Sequence, residues 1–183
     1  EFQSVANDEK TTKLTAVFNA VLWDDLEYSG VATLVSRSFY PIGKFSSPAD
    51  IKPEDWTTPA VDAQFLAFGN TRVNGGRISI EARLWDLKNT QNREISSASK
   101  RYGSEETEEG ARLIAHQFAD AIVELIGGGI HGVALTKIAF VSDRTGSKEL
   151  YVMDYDGNDP HALTGYKSIV LTPAWSPDGE KIA

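Results

Sequence analysis

Three consecutive glycines, Gly127–Gly129, are the feature that most constrains the fold of this chain. A run of glycines cannot continue a helix without a large loss of backbone entropy, so it marks a natural joint. Before the joint the sequence shows helical and strand periodicities, and after it only short apolar strands separated by turns. We therefore predict two parts: an α+β amino-terminal domain over residues 1–130 and an incomplete all-β segment over residues 131–183.

Two amphipathic helices are predicted in the first part. From Thr11 onward apolar residues recur at steps of three and four, and Ser29-Gly30 ends this pattern. The second helix is predicted to begin after Ser104 as N-cap and to end at Gly127. Glutamates are concentrated in its first turn, where they complement the positive end of the helix dipole.

A meander of three strands is predicted between the helices. Residues 64–73 and 78–84 flank Asn74-Gly75, the strongest short-range signal of a hairpin turn. The returning strand alternates apolar and polar residues, which predicts one buried and one solvated face. Residues 93–102 are predicted to form the third strand. Two helices covering one face of a mixed sheet is the arrangement that this order favours.

The segment between the first helix and the hairpin is less regular. Residues 31–36 are predicted to be a strand, and four of the seven prolines fall within the next 25 residues. Trp56 is predicted to be a core residue of this loop, since aromatic side chains mostly pack. Because a sheet of this type rarely starts at a helix, we also expect a strand upstream of Glu1 and expect the sequence to be part of a longer protein.

The second part contains an internal repeat. The tripeptide KIA at 137–139 recurs at 181–183, an offset of 44 residues. Strands are predicted at 137–142, 149–155 and 161–164, with turns between them. Propeller blades repeat at about 40–45 residues with four strands each. The segment is therefore predicted to be the first blade and the start of the second blade of a truncated β-propeller.

Composition excludes several functional classes. The net charge is −8, and Lys and Arg form no run, so the sequence lacks the basic footprint typical of nucleic-acid binding. There is no cysteine, which excludes disulfides, thiolate metal sites and cysteine nucleophiles. No stretch approaches the length of about 18 apolar residues of a membrane helix.

The search for reactive residues identifies no catalytic, cofactor-binding or metal-binding residue. His116 and Asp120 are spaced to share one helix face, but a lone pair lacks the further ligands that a metal needs, so a packed or surface histidine is favoured. Asp154, Asp156 and Asn158 resemble part of a calcium loop, yet Asp156-Gly157 is better explained as a hairpin turn. The sequence has no G-x-S-x-G motif.

A set of motifs resembles the TolB family of the Tol-Pal envelope system. In the second part these are IAFVSDR at 138–144, ELYVMDYDG at 149–157 and WSPDG at 175–179. In the first part they are DLEYSG at 25–30, Trp56 before VDA at 61–63, EARLWD at 81–86, and His116 in the helix leading to LIG at 125–127. The order of these motifs matches the family over nearly the whole chain.

This resemblance implies a non-catalytic periplasmic scaffold. It implies a protein that binds the peptidoglycan-associated lipoprotein Pal through a six-bladed propeller and TolA through its extreme amino terminus. It also implies roles in outer-membrane integrity during cell division and in colicin and protein import. The contact residues for these partners stay unknown, because the TolA-binding peptide and most blades are not in this sequence.

Two other functional hypotheses remain open from the sequence. The propeller segment is also compatible with the non-catalytic part of a serine peptidase or other hydrolase, and, less well, with a sugar-binding propeller. A single blade cannot bury both faces, so residues 133–183 are predicted to be mobile or to self-pair through an exposed strand edge.

Overall fold

The computed structural model describes every residue from Glu1 to Ala183. The chain divides into two compact units, the amino-terminal unit Glu1–Gly132 and the carboxy-terminal unit Val133–Ala183. Each unit has its own sheet: four strands in the first and three in the second. The predicted fold class, a mixed sheet with two helices followed by an all-β segment of a propeller, is confirmed.

The amino-terminal unit contains three α-helices, four strands and two short 3-10 helices. In chain order these are β1 (Gln3–Ser4), α1 (Glu9–Tyr28), 3-10 helices at Arg37–Phe39 and Pro48–Asp50, α2 (Pro53–Trp56), β2 (Phe65–Asn74), β3 (Arg77–Asp86), β4 (Lys100–Glu105) and α3 (Glu108–Ile126).

The sheet has the order β1-β2-β3-β4, with β1 parallel to β2 and the other pairs antiparallel. Both long helices lie against one face, and α1 packs on α3. The alternating residues Ile78, Ile80, Ala82 and Leu84 of β3 point to this face and are almost completely buried. Phe18 of α1 and other core side chains complete a hydrophobic layer between helices and sheet.

Both long helices begin with a side-chain cap. The Asp8 carboxylate accepts a hydrogen bond from the backbone N–H of Thr11 at 2.7 Å, and Thr107 Oγ1 accepts one from Gly110 at 3.0 Å. The second helix therefore begins three residues later than predicted. Ser104, the predicted N-cap, instead lies in β4 opposite Ile78.

The hairpin is present, but its turn lies one residue later than predicted. Asn74 pairs with Arg77 as the last residue pair of the ladder, and Gly75-Gly76 form the two-residue turn. Both glycines have positive φ, +59° and +75°, as a type I′ turn requires. A pair of glycines adopts these angles without strain, so it displaces Asn-Gly as the turn centre.

Two predicted strands are wrong. Residues 31–36 are not a strand, because no neighbouring strand offers them a partner. The third strand does not begin at residue 93. Glu94 makes one isolated bridge to Trp85, and the chain then makes a turn. Beyond this turn the Leu84 N–H donates a hydrogen bond to the side-chain hydroxyl of Ser99 at 3.0 Å and not to a backbone carbonyl. Regular pairing with β3 starts at Lys100.

The start of the chain also differs from the prediction. A strand precedes the first helix, but it lies within the chain and not upstream of Glu1: Gln3 and Ser4 form β1 and pair with Asn70 and Thr71. Gly69 precedes Asn70 in β2 and lies where the sheet is most closely packed. A Cβ at Gly69 would lie 1.9 Å from the carbonyl oxygen of Glu81 and 2.8 Å from the ring of Phe2. No side chain larger than hydrogen fits at this point of the sheet.

The carboxy-terminal unit is a three-stranded antiparallel sheet of order β5-β6-β7. Its strands are β5 (Lys137–Ser142), β6 (Glu149–Asp154) and β7 (His161–Ala162). The first hairpin turn ends at Gly146, whose N–H donates to Asp143 O at 2.8 Å, and the second at Gly157, whose N–H donates to Asp154 O at 2.9 Å. Beyond the sheet, Trp175 and Ile182 form one isolated antiparallel bridge.

Candidate interaction surfaces

An aromatic cluster fastens the proline-rich loop to the sheet face opposite the helices. Trp56 is 4% exposed and packs with Leu66 and Phe68 of β2, which confirms its prediction as a core residue. Tyr40 and Phe45 lie against the Trp56 ring, with centroid separations of 5.4 and 5.2 Å. The loop is therefore fixed at two points 5 residues apart.

Between these two anchors an apolar side chain is left in solvent. Ile42 is fully exposed, and Phe39, just before the first anchor, is 54% exposed. Because Tyr40 and Phe45 both pack against Trp56, the short segment that carries Ile42 is held at both of its ends. A fully exposed isoleucine of this kind is available for contact with another molecule.

A largely apolar cleft of about 590 Å³ opens between α1, the end of α3 and β2. Its walls include Leu26 of α1, Leu125 of α3 and Trp56. The residues 31–35, predicted to be a strand, form part of the rim as irregular chain. Concave sites lined mainly by apolar side chains are the usual form of a binding site, and this cleft has no cluster of reactive groups on its walls.

Glu1 is one of the residues that line this cleft. The Glu1 side chain makes an ion pair with Arg37 at 3.0 Å, and the Arg37 guanidinium lies 4.5 Å from the centroid of the Trp23 ring. This group of charges closes one side of the cleft.

His116 is packed, one of the two placements that the sequence left open, and its hydrogen-bond partner is Asp25 of the other long helix. Its Nδ1 lies 2.7 Å from Oδ2 of Asp25, and the two side chains are 8% and 0% exposed. The pair joins α1 to α3 inside the unit. Sequence spacing within one helix could not reveal this partner, because the two residues are 91 positions apart. The identity of Asp25 within the DLEYSG motif was the available signal.

The other two histidines lie at the surface. His131 is 3.9 Å from Glu124, and both side chains are well exposed. The Nδ1 of His161 lies 2.8 Å from the backbone oxygen of Asp159. Neither arrangement places an imidazole beside a serine or threonine hydroxyl in the way that nucleophilic catalysis requires.

Arginines dispersed in the sequence come together on the sheet face opposite the helices. Arg72, Arg77 and Arg101 are exposed and come from three adjacent strands. Sequence analysis missed this group because the arginines are not consecutive. The strand register alone brings them together. Alternation along β3 was the signal that could have found it, since every polar position of that strand faces the same side.

None of the α-helices is both long and apolar enough to cross a membrane.

Comparison with known proteins gives a consistent result. The family model of the TolB amino-terminal domain matches residues 2–93, about half of the chain. The Tol-Pal system protein TolB of Desulfosudis oleivorans is 31% identical over 185 residues, covering 100% of this chain and 40% of that protein. The Tol-Pal system protein TolB of Geobacter sulfurreducens is 37% identical over 142 residues, covering 75% of this chain and 31% of that protein.

Among solved structures, the crystal structure of TolB from Acinetobacter baumannii superimposes with a TM-score of 0.73 at 23% identity. The match covers 99% of this chain and 42% of that chain, and at this identity it shows a shared fold. The chain spans between 29% and 40% of the length of the curated relatives that it matches. By the match of its α+β unit to the family model, this chain belongs to the TolB amino-terminal domain family.

Proposed function

We propose that the chain is part of a non-catalytic scaffold protein of the Tol-Pal system, located in the periplasm. The full-length protein would bind a Pal-like lipoprotein and a TolA-like protein, and so keep the outer membrane intact during cell division. Import of colicins and other proteins through the same contacts is part of the proposal. The observation that carries it is the match of the amino-terminal unit to the TolB family.

The geometry of the amino-terminal unit supports a binding role. Its large recess is apolar, and the buried His116 is engaged with Asp25 instead of facing a solvent-accessible nucleophile. Family membership also favours a Tol-Pal protein over a peptidase propeller, the alternative that the repeat alone left open. We propose that residues 131–183 form the first blade and the start of the second blade.

The proposal can be tested with the full-length gene. Its deletion should release periplasmic enzymes and sensitise cells to detergent, and the purified full-length protein should bind purified Pal-like lipoprotein in a calorimetric titration. Fractionation should place the protein with periplasmic markers. An intact outer membrane in the deletion strain together with no heat of binding would contradict the proposal.

The cleft can be tested separately with two leucines of α3. Leu125 lines the cleft and is 39% exposed, whereas Leu113 is 43% exposed and is not part of the cleft wall. If the cleft receives a TolA-like or Pal-like partner, Leu125→Glu should weaken binding of that partner at least about tenfold. Leu113→Glu should leave it within about twofold. Equal effects of both substitutions would exclude the cleft as the site.

Self-pairing of the carboxy-terminal unit also stays a prediction. The strand β5 lies at the edge of its sheet, with side chains that are half-buried along most of its length. Unpaired backbone groups along such an edge invite pairing with a second copy. Sedimentation velocity at increasing concentration should show a shift from monomer to dimer. A monomer at all concentrations with a protease-resistant carboxy-terminal unit would argue against pairing and mobility alike.

A further inference from the structure

The sheet face opposite the helices has a group of arginines contributed by three neighbouring strands. Direct pairing places Arg72 beside Ser79 and Ser79 beside Gly103, so that one row crosses three strands. In the next row Arg101 lies opposite Glu81. Directly paired residues of antiparallel strands point to the same face, so these side chains share one surface. We call Arg72, Arg77 and Arg101, with Ser79 and Gly103 between them, the arginine face.

Two of the glutamates around the arginine face, Glu81 and Glu94, are already engaged. Arg83 donates to Glu81 at 2.7 Å and to Glu94 at 2.6 Å, so these three charges form a closed group. The hydrogen bond from Arg83 is the main cause that lowers the pKa of the Glu81 carboxyl, and Arg101 contributes through its charge. Glu81 therefore stays ionised, and both glutamates have Arg83 as their close partner.

The three arginines of the face have weaker partners. Arg72 donates from Nε to the neutral amide oxygen of Asn70 at a long distance of 3.4 Å. Arg77 lies opposite Glu105 in the strand register, and both side chains belong to exposed residues. Four arginines and three glutamates share this surface, which gives it a charge of about +1 in a chain whose net charge is −8. The surface is thus a positive area on an acidic protein.

The shape of the face fits an extended peptide. Ser79 and Gly103 are small, so the middle row is shallow between the flanking arginines. Neighbouring strands are about 4.8 Å apart, which puts the columns of Arg72 and Arg101 about 10 Å apart. Carboxylates two residues apart in an extended chain are separated by about 7 Å. Guanidinium groups at such spacings can each bind a separate carboxylate in a bidentate manner.

We propose that the arginine face is a docking surface for an acidic, extended segment of a protein partner. A peptide with separate carboxylates should bind this surface more favourably than a polyphosphate or nucleic acid, because glutamates lie between the arginines. The negative net charge of the chain also repels a ligand of high negative charge density. The surface is separate from the apolar cleft, and the proposal does not require the Tol-Pal assignment to be correct.

The test uses a fluorescent dodecapeptide of alternating Glu and Thr, with a Gln-Thr peptide of the same length as a neutral reference. At low salt the Glu peptide should bind the wild-type chain and the Gln peptide should not. The triple variant Arg72→Gln, Arg77→Gln, Arg101→Gln should weaken binding at least about tenfold, since three charge-assisted contacts are lost. Single substitutions should each give a smaller part of this loss, and circular dichroism should show an unchanged fold.

A matched control removes three exposed cations elsewhere, with Lys52→Gln, Lys88→Gln and Lys148→Gln. The two triple variants have the same net charge, so the control should bind the Glu peptide within about threefold of wild type. Equal weakening by both variants would reduce the effect to bulk charge and overturn the proposal. So would absence of binding by wild type, or tighter binding of inorganic polyphosphate that depends on the same three arginines.

Discussion

Each of the two units of this chain contains a sheet in which most strand pairs are antiparallel, but the surroundings of the two sheets differ. In the amino-terminal unit two long helices cover one sheet face, and 25 of the 29 buried hydrophobic residues of the chain belong to it. The carboxy-terminal unit has 51 residues and contributes 7 of the 14 exposed large hydrophobic side chains. These seven side chains lie before β5 and after β7, in segments outside the sheet.

The difference indicates which unit folds on its own. The amino-terminal unit closes a continuous core, whereas the carboxy-terminal unit has the apolar surface of a repeat that expects neighbours. The folded structure of the carboxy-terminal unit therefore depends more on local hydrogen bonds, such as those of Glu149, than the structure of the amino-terminal unit does. This carboxylate accepts hydrogen bonds from the Thr164 hydroxyl at 2.6 Å and from the N–H groups of Lys167 at 2.7 Å and Tyr166 at 3.1 Å.

The largest effect is expected at Gly69. Gly69→Ala should destabilise the amino-terminal unit by about 3 kcal/mol or more, because the added Cβ meets backbone that cannot move aside. Gly103→Ala is the control, since a Cβ there lies 3.7 Å from its nearest neighbour. Urea unfolding followed by far-ultraviolet circular dichroism measures both. A stability loss at Gly103 as large as that at Gly69 would show that the contacts around Gly69 are not decisive.

The next effect concerns the hydrogen bond between the two helices. Asp25→Ala should lower the free energy of unfolding by about 3 kcal/mol, because it breaks a buried hydrogen bond and leaves His116 without that partner. Asp24→Ala on the same helix turn should cost less than about 0.5 kcal/mol. Thermal unfolding gives the comparison, and equal losses would contradict a specific role for Asp25.

A smaller effect is expected at alkaline pH. Burial raises the pKa of Tyr102 to about 12. The unfolded chain loses this proton near pH 10 while the folded chain keeps it, so stability should fall between pH 10 and 12, by about 1–2 kcal/mol. Tyr102→Phe should remove this part of the pH dependence. An unchanged slope in the variant, measured by urea titration at each pH, would contradict the assignment.

The smallest effect should be confined to the carboxy-terminal unit. The Thr164 hydroxyl, followed by the Lys167 and Tyr166 N–H groups, lowers the pKa of Glu149 against the opposing effect of burial. A lowered folded pKa means that this stabilisation is present above the unfolded pKa and is lost as pH falls through the folded value. Glu149→Gln should speed hydrogen exchange at Tyr166 and Lys167 at neutral pH, but not at amides of α3. Faster exchange in both units would show that they are coupled.

The elements that depend on periodicity could be predicted from the sequence. The elements that depend on pairing with a strand distant in sequence could not. Helix α1, the hairpin and strands β5 and β6 follow from patterns within short windows. Residues 31–36 have the composition of a strand but lack a partner, and two residues at the start of the chain become β1 because β2 has a free edge. Ser104 was a valid cap by type, but its register opposite Ile78 placed it in a strand.

The candidate surfaces were less predictable than the fold. Trp56 was recognised as a core residue from its type, but the cleft beside it depends on how α1, α3 and β2 meet. The arginine face depends on the register of three strands, which no short window contains. Asp25 and His116 were both noted within family motifs, yet their contact is a property of the packed helices.

The Asp25–His116 bond has a consequence for how the unit assembles during synthesis. Its two residues are separated by 91 positions, so Asp25 of α1 cannot form this hydrogen bond until α3 has been synthesised. When the chain is synthesised from its amino terminus, α1 lacks its contact with α3 for most of the synthesis of the unit, because contacts of long sequence separation form late. A chaperone that binds unfolded chains can therefore bind this unit during nearly all of its synthesis. Its release has to follow the synthesis of α3, the last helix of the unit.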